Sequence, residues 1–479
     1  MNHHTKSTHT GEASIERRLA EHVTQLSYVQ LPERTIERVA TFVADTLSVG
    51  MAGSAVPEAQ SLLQALSKPL SQTPTHQNER NQIPVWGAGL SLPAPDAIMA
   101  NAFNVHCQEF DCVHEGAVVH AMATLLPVLM AEAQDRHDSS RPVSGKELIL
   151  AVTAGIDVAC TLGLAANNAM RFFRPATAGG FGAVAGLARL RQFDTAQLVA
   201  AWGFQLAQTS GTMQGHREGR PVLPLQVSVN ARAAWQSCAL AQSSLASLDL
   251  PLSGECGYLA MFEGDYDIEP LLDTLGQRWR IDEFSHKPYP SGRATHAGVQ
   301  GLLDLMGVHQ LTPQDIESVM VTGPSLISRL VNRPAQPNPS PNYARLCMPY
   351  VLAKVMQHGE LLPSHYWPKA LGDAHTFALA QKVHMSVDEN PDPNAFTPVT
   401  VTVVLTNGEQ HQITLDHMLA SPERPLSLSQ CQAKFEQCCA QAIRPPAQPD
   451  RLFDQMMALT SVDDVATLLD PNPLHTPEP

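Results

Sequence analysis

Residues 101–129 read NAFNVHCQEFDCVHEGAVVHAMATLLPVL, so a titratable stretch runs directly into an apolar one. The first part concentrates histidines, acids and thiols, namely His106, Cys107, Glu109, Asp111, Cys112, His114 and His120. Such groups are costly to bury without partners, and active sites are where proteins accept that cost. We interpret the stretch as one wall of an active site, with predicted helices over 96–106 and 117–136 on either side.

The surrounding sequence has the apolar spacing of helices. Over 36–47, apolar residues recur at intervals of three and four, which indicates an amphipathic helix. Segments rich in alanine and glycine continue this pattern as far as residue 246. Among them, GGFGAVAG at 179–186 lacks the Lys-Ser/Thr pair of a phosphate loop, so we interpret it as a site of close helix packing.

The helical pattern of the sequence ends near residue 250, and segments with the pattern of strands follow. Residues 316–322 alternate apolar and polar side chains, and 398–415 read as two strands around an Asn407-Gly408 turn. Residues 427–469 return to a helical pattern.

This order of segments predicts a mainly α protein. A large all-helical domain would be formed by both chain ends, 15–275 and 418–479, and a smaller α/β domain would be inserted between them at 276–417. Residues 1–14 are polar and predict a disordered tail.

Composition excludes several classes of function. The chain of 479 residues has a formal net charge of −15, whereas a nucleic-acid surface needs a basic stripe. Nine cysteines without a CxxC pair favour reduced thiols and a cytoplasmic location. The most apolar span, 148–166, carries Asp157 and is rich in small residues, so we expect a buried core helix and no membrane partner.

The histidines and acids of 106–120 allow two kinds of chemistry. They could ligate a metal, but their spacing is not HExxH and no second cluster with zinc spacing follows. General acid–base catalysis is favoured, because histidine titrates near neutrality and a neighbouring carboxylate can orient its ring. Structural hydrogen bonding is the remaining alternative, and we predict no metal.

Two further loops carry cations. GHREGRP at 215–221 presents Arg217 and Arg220, either as a solvated loop or to capture a carboxylate. HKPYPSGRATH at 286–296 is stiffened by two prolines and bears Lys287, Tyr289, Arg293 and His296. A rigid loop with converging cations suits a carboxylate-rich substrate or a developing oxyanion.

Six segments in this order resemble the MmgE/PrpD family, which includes 2-methylcitrate dehydratase, cis-aconitate decarboxylase and iminodisuccinate epimerase. They are NAFNVHCQEFDCVHEGAVVHAMATLLPVL at 101–129, MRFFRPATAGGFGAVAGLARL at 170–190, SGECGYLAMFEGD at 253–265, FSHKPYPSGRATHAGV at 284–299, Met348-Pro349-Tyr350, and SPERPLSLSQCQAKFEQC at 421–438. The resemblance implies the same helical domain with an α/β lid, a homodimer, and no organic cofactor. It also implies removal of a proton from carbon beside a carboxylate, followed by loss of water, loss of carbon dioxide or reprotonation.

The resemblance also implies site residues. The catalytic set carried over from the family pattern is His120, Lys287, Tyr350 and Asp111. The predicted substrate-binding set is Glu109, Arg174, Arg293, His296, Arg217 and Arg220.

The sequence departs from the family pattern at several of its own motifs. Glu109, Cys112 and Val113 replace Asp, Asp and Thr or Ser, and Arg174 replaces a histidine. Gly292 stands where the decarboxylases carry a catalytic histidine. We hypothesise that arginines replace cations that the family supplies elsewhere.

These observations predict a lyase or isomerase that abstracts a proton beside a carboxylate of a small di- or tricarboxylate. A hydro-lyase similar to 2-methylcitrate dehydratase is the first expectation. A cofactor-independent epimerase or a decarboxylase of an aconitate- or iminodisuccinate-like substrate is the alternative. A catalytically degenerate protein that only binds polycarboxylates is the alternative from another functional class.

Overall fold

The computed structural model describes residues 14–67 and 82–469, and helices dominate them. The mainly α fold with a small α/β portion is therefore confirmed. The predicted disordered tail lies outside the described residues except for Ser14. That residue caps the first helix, because its side chain accepts a hydrogen bond from the Arg17 amide.

Eleven α-helices precede residue 275 in the described chain, and a short hairpin lies between the third and the fourth. The helices are α1 (Ile15–Gln25), α2 (Glu33–Gly53), α3 (Pro57–Leu66), α4 (Ala94–His106), α5 (Ala121–Asp138), α6 (Gly145–Leu164), α7 (Arg174–Leu190), α8 (Thr195–Leu206), α9 (Gln214–Glu218), α10 (Val222–Ala241) and α11 (Glu269–Leu272). The hairpin strands are β1 (Gln82–Val85) and β2 (Leu90–Pro93), which pair antiparallel.

After residue 275, the described chain contains a four-stranded sheet with neighbouring helices, followed by a helical C-terminal segment. Strand β3 (Val113–His114) lies earlier, between α4 and α5, and the later strands are β4 (Phe284–Ser285), β5 (Ile316–Gly323), β6 (Val383–Val387), β7 (Val399–Leu405) and β8 (Gln410–Leu415). The helices are α12 (His296–His309), α13 (Ser325–Val331), α14 (Pro341–Arg345), α15 (Met348–His358), α16 (Pro368–Leu371), α17 (Ala374–Ala380), α18 (Leu428–Cys439) and α19 (Pro449–Met457).

Glycines allow α6 and α7 to pack backbone to backbone. A Cβ atom added at Gly182 would lie 2.5 Å from the Gly155 carbonyl oxygen, and one added at Gly155 would lie 2.7 Å from the Gly182 oxygen. Only hydrogen side chains fit so close an approach. The interpretation of 179–186 as helix packing is confirmed, since the whole segment lies inside α7.

The α/β portion is built on one four-stranded sheet with the order β6-β5-β7-β8. The β5–β6 pair is parallel, and the other two pairs are antiparallel. Alternate residues of β7 are buried, as expected for a strand with one face on a core. The predicted hairpin is confirmed, and Gly408 at its turn has a φ of 86°, which glycine adopts without strain.

Two hydrophobic cores follow from these elements. The larger core takes residues from Leu19 to Phe284 and again from the C-terminal helices, where the Phe435 and Phe453 rings lie 5.4 Å apart. The smaller core lies between 294 and 418, around the sheet, α12 and α15, and it also receives Val118 from the first part of the chain. The exact domain bounds remain a prediction.

Helix α6 is long and apolar enough to cross a membrane by length and composition alone. However, 83% of its apolar window is buried inside the protein, as expected for the predicted core helix. All nine cysteines are free, and Cys256 is the one that is exposed.

Candidate active site

The titratable stretch and the second cationic loop meet through a short antiparallel pairing. Helix α4 ends at His106, a loop carries residues 107–112, and β3 then pairs with β4. Lys287 follows strand β4 after His286, so the pairing brings this lysine beside the loop. The Lys287 ammonium donates to the Glu109 carboxylate at 2.9 Å, although 178 positions separate them in the chain.

Glu109 has a strained backbone. Its φ of 52° is in the left-handed region, which residues other than glycine, asparagine and aspartate seldom adopt. Strain of this kind persists where surrounding contacts fix it, and it is concentrated at functional sites. The carboxylate of this strained residue accepts the hydrogen bond that the Lys287 ammonium donates.

His120 lies at the amino end of α5, immediately before its first residue. The helix predicted over 117–136 begins only at Ala121, because residues 115–118 form a turn closed by hydrogen bonds between Val119 and His114. This shorter helix leaves His120 at the mouth of the cluster. Its side chain is 11% exposed, whereas that of Asp111 is fully buried.

One carboxylate oxygen of Asp111 binds two histidines. The Nδ1 atoms of His106 and His120 each lie 3.0 Å from Asp111 Oδ2. An ionised carboxylate only accepts hydrogen bonds, so both Nδ1 atoms carry hydrogen. The free nitrogen of His120 is therefore Nε2, which is a basic atom whenever the ring is neutral.

Burial alone would raise the pKa of Asp111, but the charges and hydrogen bonds of His120 and His106 hold it well below its usual value. Burial would also raise the pKa of Glu109, and the charges of Lys287 and the two histidines instead lower it to about 2. Both carboxylates are consequently ionised at neutral pH.

The two histidines have pKa values shifted in opposite directions. Burial favours the neutral ring in both, but the charges of Asp111 and Glu109 outweigh it at His106 and raise its pKa. At His120, burial prevails over Asp111, and the Lys287 charge acts in the same direction, so the pKa is lowered. Divergent pKa values in one cluster are the pattern of an acid and a base with separate roles.

The same cluster could accept a metal by composition. Among the described residues, the ligand atoms of His106, Asp111 and His120 lie within 4.8 Å of one another. In this geometry both Nδ1 atoms approach the same oxygen at hydrogen-bond distance and form a hydrogen-bonded triad, whereas Asp111 Oδ1 and His106 Nε2 have no hydrogen-bond partner among the described residues. The absence of a metal remains a prediction.

Arg293 and His296, which were also predicted from the second loop, form hydrogen bonds that hold this loop in place. Arg293 Nε donates to Glu115 at 2.7 Å, and its Nη1 donates to His296 Nδ1 at 3.2 Å. His296 Nε2 in turn donates to the Ser291 carbonyl at 3.2 Å. Burial and the Arg293 charge hold the pKa of His296 well below its usual value, so this histidine stays neutral and fixes the loop.

The remaining predicted residues are not brought to the Asp111 carboxylate. Tyr350 donates to the His365 carbonyl at 2.6 Å. Arg174 is buried and pairs with Glu263 at 2.9 Å. Arg217 and Arg220 are exposed on the surface. Their predicted contact with substrate remains a prediction, and the function proposed below does not depend on it.

The structure adds two histidines to the residues predicted from the sequence. His106 lay inside the titratable stretch, but its sharing of Asp111 with His120 has no signal in residue spacing. His216 lies in the same GHREGRP loop as Arg217, and it is the histidine that turns inward. Its partner Arg333 donates to the His216 carbonyl at 2.5 Å.

Comparison with known families covers most of the chain. The model of the MmgE/PrpD N-terminal domain matches residues 17–271, and that of the MmgE/PrpD C-terminal domain matches residues 289–458.

Similar proteins of recorded function are distant in sequence but match over nearly full length. A cis-aconitate decarboxylase-like protein, oryM, from Aspergillus oryzae is 22% identical, covering 97% of this chain and 98% of that protein. The cis-aconitate decarboxylase of Homo sapiens is 24% identical, covering 88% of this chain and 87% of its own. A cis-aconitate decarboxylase of Aspergillus terreus is 21% identical over 96% of both chains.

Proposed function

Because the chain belongs to the MmgE/PrpD family, we propose that it is a lyase acting on a small di- or tricarboxylate. The reaction would begin with proton transfer at the carbon beside a carboxylate. The observation that carries the proposal is the Asp111 carboxylate, which orients a neutral His120 beside the buried Lys287 ammonium.

In the proposed reaction, His120 Nε2 takes the proton from the carbon beside the carboxylate. Asp111 stabilises the imidazolium that forms, and the Lys287 ammonium stabilises the negative charge that develops on the substrate carboxylate. The carbon–oxygen bond of a neighbouring hydroxyl then breaks. His120 returns its proton to the departing oxygen, so water leaves and a carbon–carbon double bond remains.

The lowered pKa of His120 favours this hydro-lyase over decarboxylation. Elimination of water needs a base first, and a neutral imidazole supplies one. Decarboxylation needs an acid to protonate the carbanion after carbon dioxide leaves, which suits a histidine that is already protonated.

Decarboxylation is the second candidate, and the recorded activity of the similar proteins favours it. At Gly292, where the resemblance places a decarboxylase histidine, an added Cβ would lie 2.6 Å from Leu346 Cδ2. A side chain at this position would require Leu346 to move, so this chain would need another acid for that reaction.

A screen of di- and tricarboxylates by proton NMR in deuterium oxide tests the proposal. We expect loss of the signal from the carbon-bound proton together with a new alkene signal. Release of carbon dioxide with one deuterium incorporated would replace the hydro-lyase with a decarboxylase. Exchange at that carbon without an alkene would indicate an epimerase, and binding without exchange would indicate a degenerate binding protein.

We also propose a homodimer in the cytoplasm. The family resemblance supports the dimer, and nine free cysteines agree with a reducing compartment. Light scattering on the purified chain should give twice the mass of 51.8 kDa, and a monomer would contradict the proposal.

A further inference from the structure

Buried arginines near the two cores have their charges balanced in different ways. Arg174 pairs with Glu263 at 2.9 Å, and Arg293 pairs with Glu115 at 2.7 Å. Arg333 is also buried, with 9% of its surface exposed. Within the described part of the chain, no carboxylate lies within 4.0 Å of the Arg333 guanidinium.

The hydrogen bonds of Arg333 leave one end of its guanidinium free. Its Nη2 donates to the His216 carbonyl at 2.5 Å, and the guanidinium carbon lies 5.3 Å from the centre of the Tyr343 ring. Its Nη1 is buried and has no hydrogen-bond partner among the residues that the structure describes. A buried cation with an unused N–H is costly, and an anionic ligand would remove that cost.

Arg333 contacts a histidine and a helix that reaches the loop of residues 107–112. Burial, together with the Arg333 charge, lowers the pKa of His216 to about 4, so this histidine is neutral at pH 7. Helix α14 carries Tyr343 against this guanidinium, and Arg345 of the same helix donates from Nη1 to the Cys107 carbonyl at 3.1 Å, two residues before Glu109. Lys287 already balances Glu109 at 2.9 Å.

Two interdomain contacts fix this position before any ligand binds. The Ser340 hydroxyl donates to the Gly219 carbonyl at 2.7 Å. Gly219 has a φ of 63°, and a Cβ atom added there would lie 2.6 Å from Tyr343 Cα. The α9 turn therefore packs directly on α14, and the His216 carbonyl is held where it can orient Arg333. Preorganised donors of this kind bind anions with little loss of freedom.

We propose that Arg333, oriented by the His216 carbonyl, forms a second carboxylate subsite. It would bind a substrate carboxylate other than the one beside the reacting carbon. This inference rests on the proposed function for the identity of the substrate, but binding at the subsite does not require turnover. It specifies the substrate class as a compound with at least two separated carboxylates, and a tricarboxylate uses the site best.

The test measures binding of inert polycarboxylates by titration calorimetry. Tricarballylate has three carboxylates, glutarate lacks the central one, and methylsuccinate lacks a terminal one. We expect Arg333→Gln to weaken tricarballylate binding on the order of 10- to 100-fold, as for a lost hydrogen bond to a charged group. We expect one of the two dicarboxylates to change by less than about threefold, because it lacks the carboxylate that Arg333 binds.

Two further variants separate binding from folding. Arg329→Gln alters an exposed arginine on α13, four positions earlier, and should leave all three affinities unchanged. Arg333→Lys keeps the charge without the two-pronged guanidinium, so its affinity for tricarballylate should be intermediate. Far-UV circular dichroism on each variant establishes that the helices are retained.

Three results would overturn the subsite. They are no binding of tricarballylate to the wild type, equal tricarballylate affinity in the wild type and Arg333→Gln, and equal losses for all three ligands in Arg333→Gln. A selective loss of tricarballylate without turnover of any polycarboxylate would support the subsite and contradict the proposed reaction.

Discussion

At the scale of single residues, Asp111 is the centre of the site because one of its oxygens binds both histidines. The two rings differ in their other neighbours. His106 Nε2 lies 3.8 Å from Glu109 and keeps a raised pKa, whereas His120 is affected by burial and Lys287 and has a lowered one. The buried ring of His106 is therefore protonated more readily than the ring of His120, which is a free base at neutral pH.

The pH dependence of catalysis follows from these directions. Activity needs neutral His120, so kcat/KM should fall as the pH drops through its pKa, with a midpoint below the usual 6.5. The Asp111 charge raises that pKa, so Asp111→Asn should move the acidic limb to still lower pH. Loss of ring orientation should also reduce kcat by about 10²–10⁴. Rate profiles from about pH 5 to pH 9 measure both effects.

An acidic limb above 6.5 in the wild type, or a shift to higher pH in Asp111→Asn, would contradict this assignment. A matched variant is Asp304→Asn, which removes a carboxylate that accepts from Gln300 on α12. Its rate profile should coincide with that of the wild type.

The sequence predicted residues of the candidate site but not the hydrogen bonds between them. The density of titratable groups over 106–120 predicts one wall of the site, and Lys287 of the second loop does contact this stretch. Spacing could not show that Asp111 is shared, because hydrogen bonding between loop residues depends on backbone directions that have no period. In GHREGRP, the short helix α9 turns His216 inward and leaves Arg217 outside, a difference of one position.

At the scale of elements, the pairing of β3 with β4 brings together the two halves of the site. It contains only two residue pairs, Val113 with Ser285 and His114 with Phe284. Strands this short carry no recognisable alternation, so the sequence did not predict them. The long β7–β8 hairpin was predicted because its alternation and its Asn407-Gly408 turn are both local signals.

The α6–α7 contact gives a prediction about stability. Gly182→Ala places a methyl group 2.5 Å from the Gly155 oxygen, so the two helices must move apart. We expect the free energy of unfolding to fall by about 1–3 kcal/mol, as for other overpacked cores. Urea denaturation followed by circular dichroism measures the change.

Gly307→Ala is the matched control for that substitution. Gly307 lies in α12, and an added Cβ there would have no atom within 4 Å. Its replacement by alanine should raise the free energy of unfolding by about 0.5–1 kcal/mol through helix propensity alone. If both variants were equally stable, close helix packing would not explain the glycines of α7.

At the scale of the whole molecule, the site is built where the two hydrophobic cores meet. The segment between α4 and α5 supplies Asp111 and His120, and Lys287 follows β4, whose Phe284 belongs to the larger core, and precedes α12, which belongs to the smaller core. The order of helical and strand segments along the chain was sufficient to predict this architecture. Which polar atoms meet across the junction depends on tertiary packing, which no local pattern encodes.

The most direct test of the central claim is exchange of the substrate's carbon-bound proton in deuterium oxide, with wild type and His120→Asn compared. Asparagine is favoured at the position before a helix, so α5 should be retained. We predict that wild type removes the proton beside the carboxylate and that His120→Asn slows this by about 10²–10⁴. Binding of tricarballylate should persist in the variant. Exchange by His120→Asn at the wild-type rate would contradict the assignment of His120 as the base.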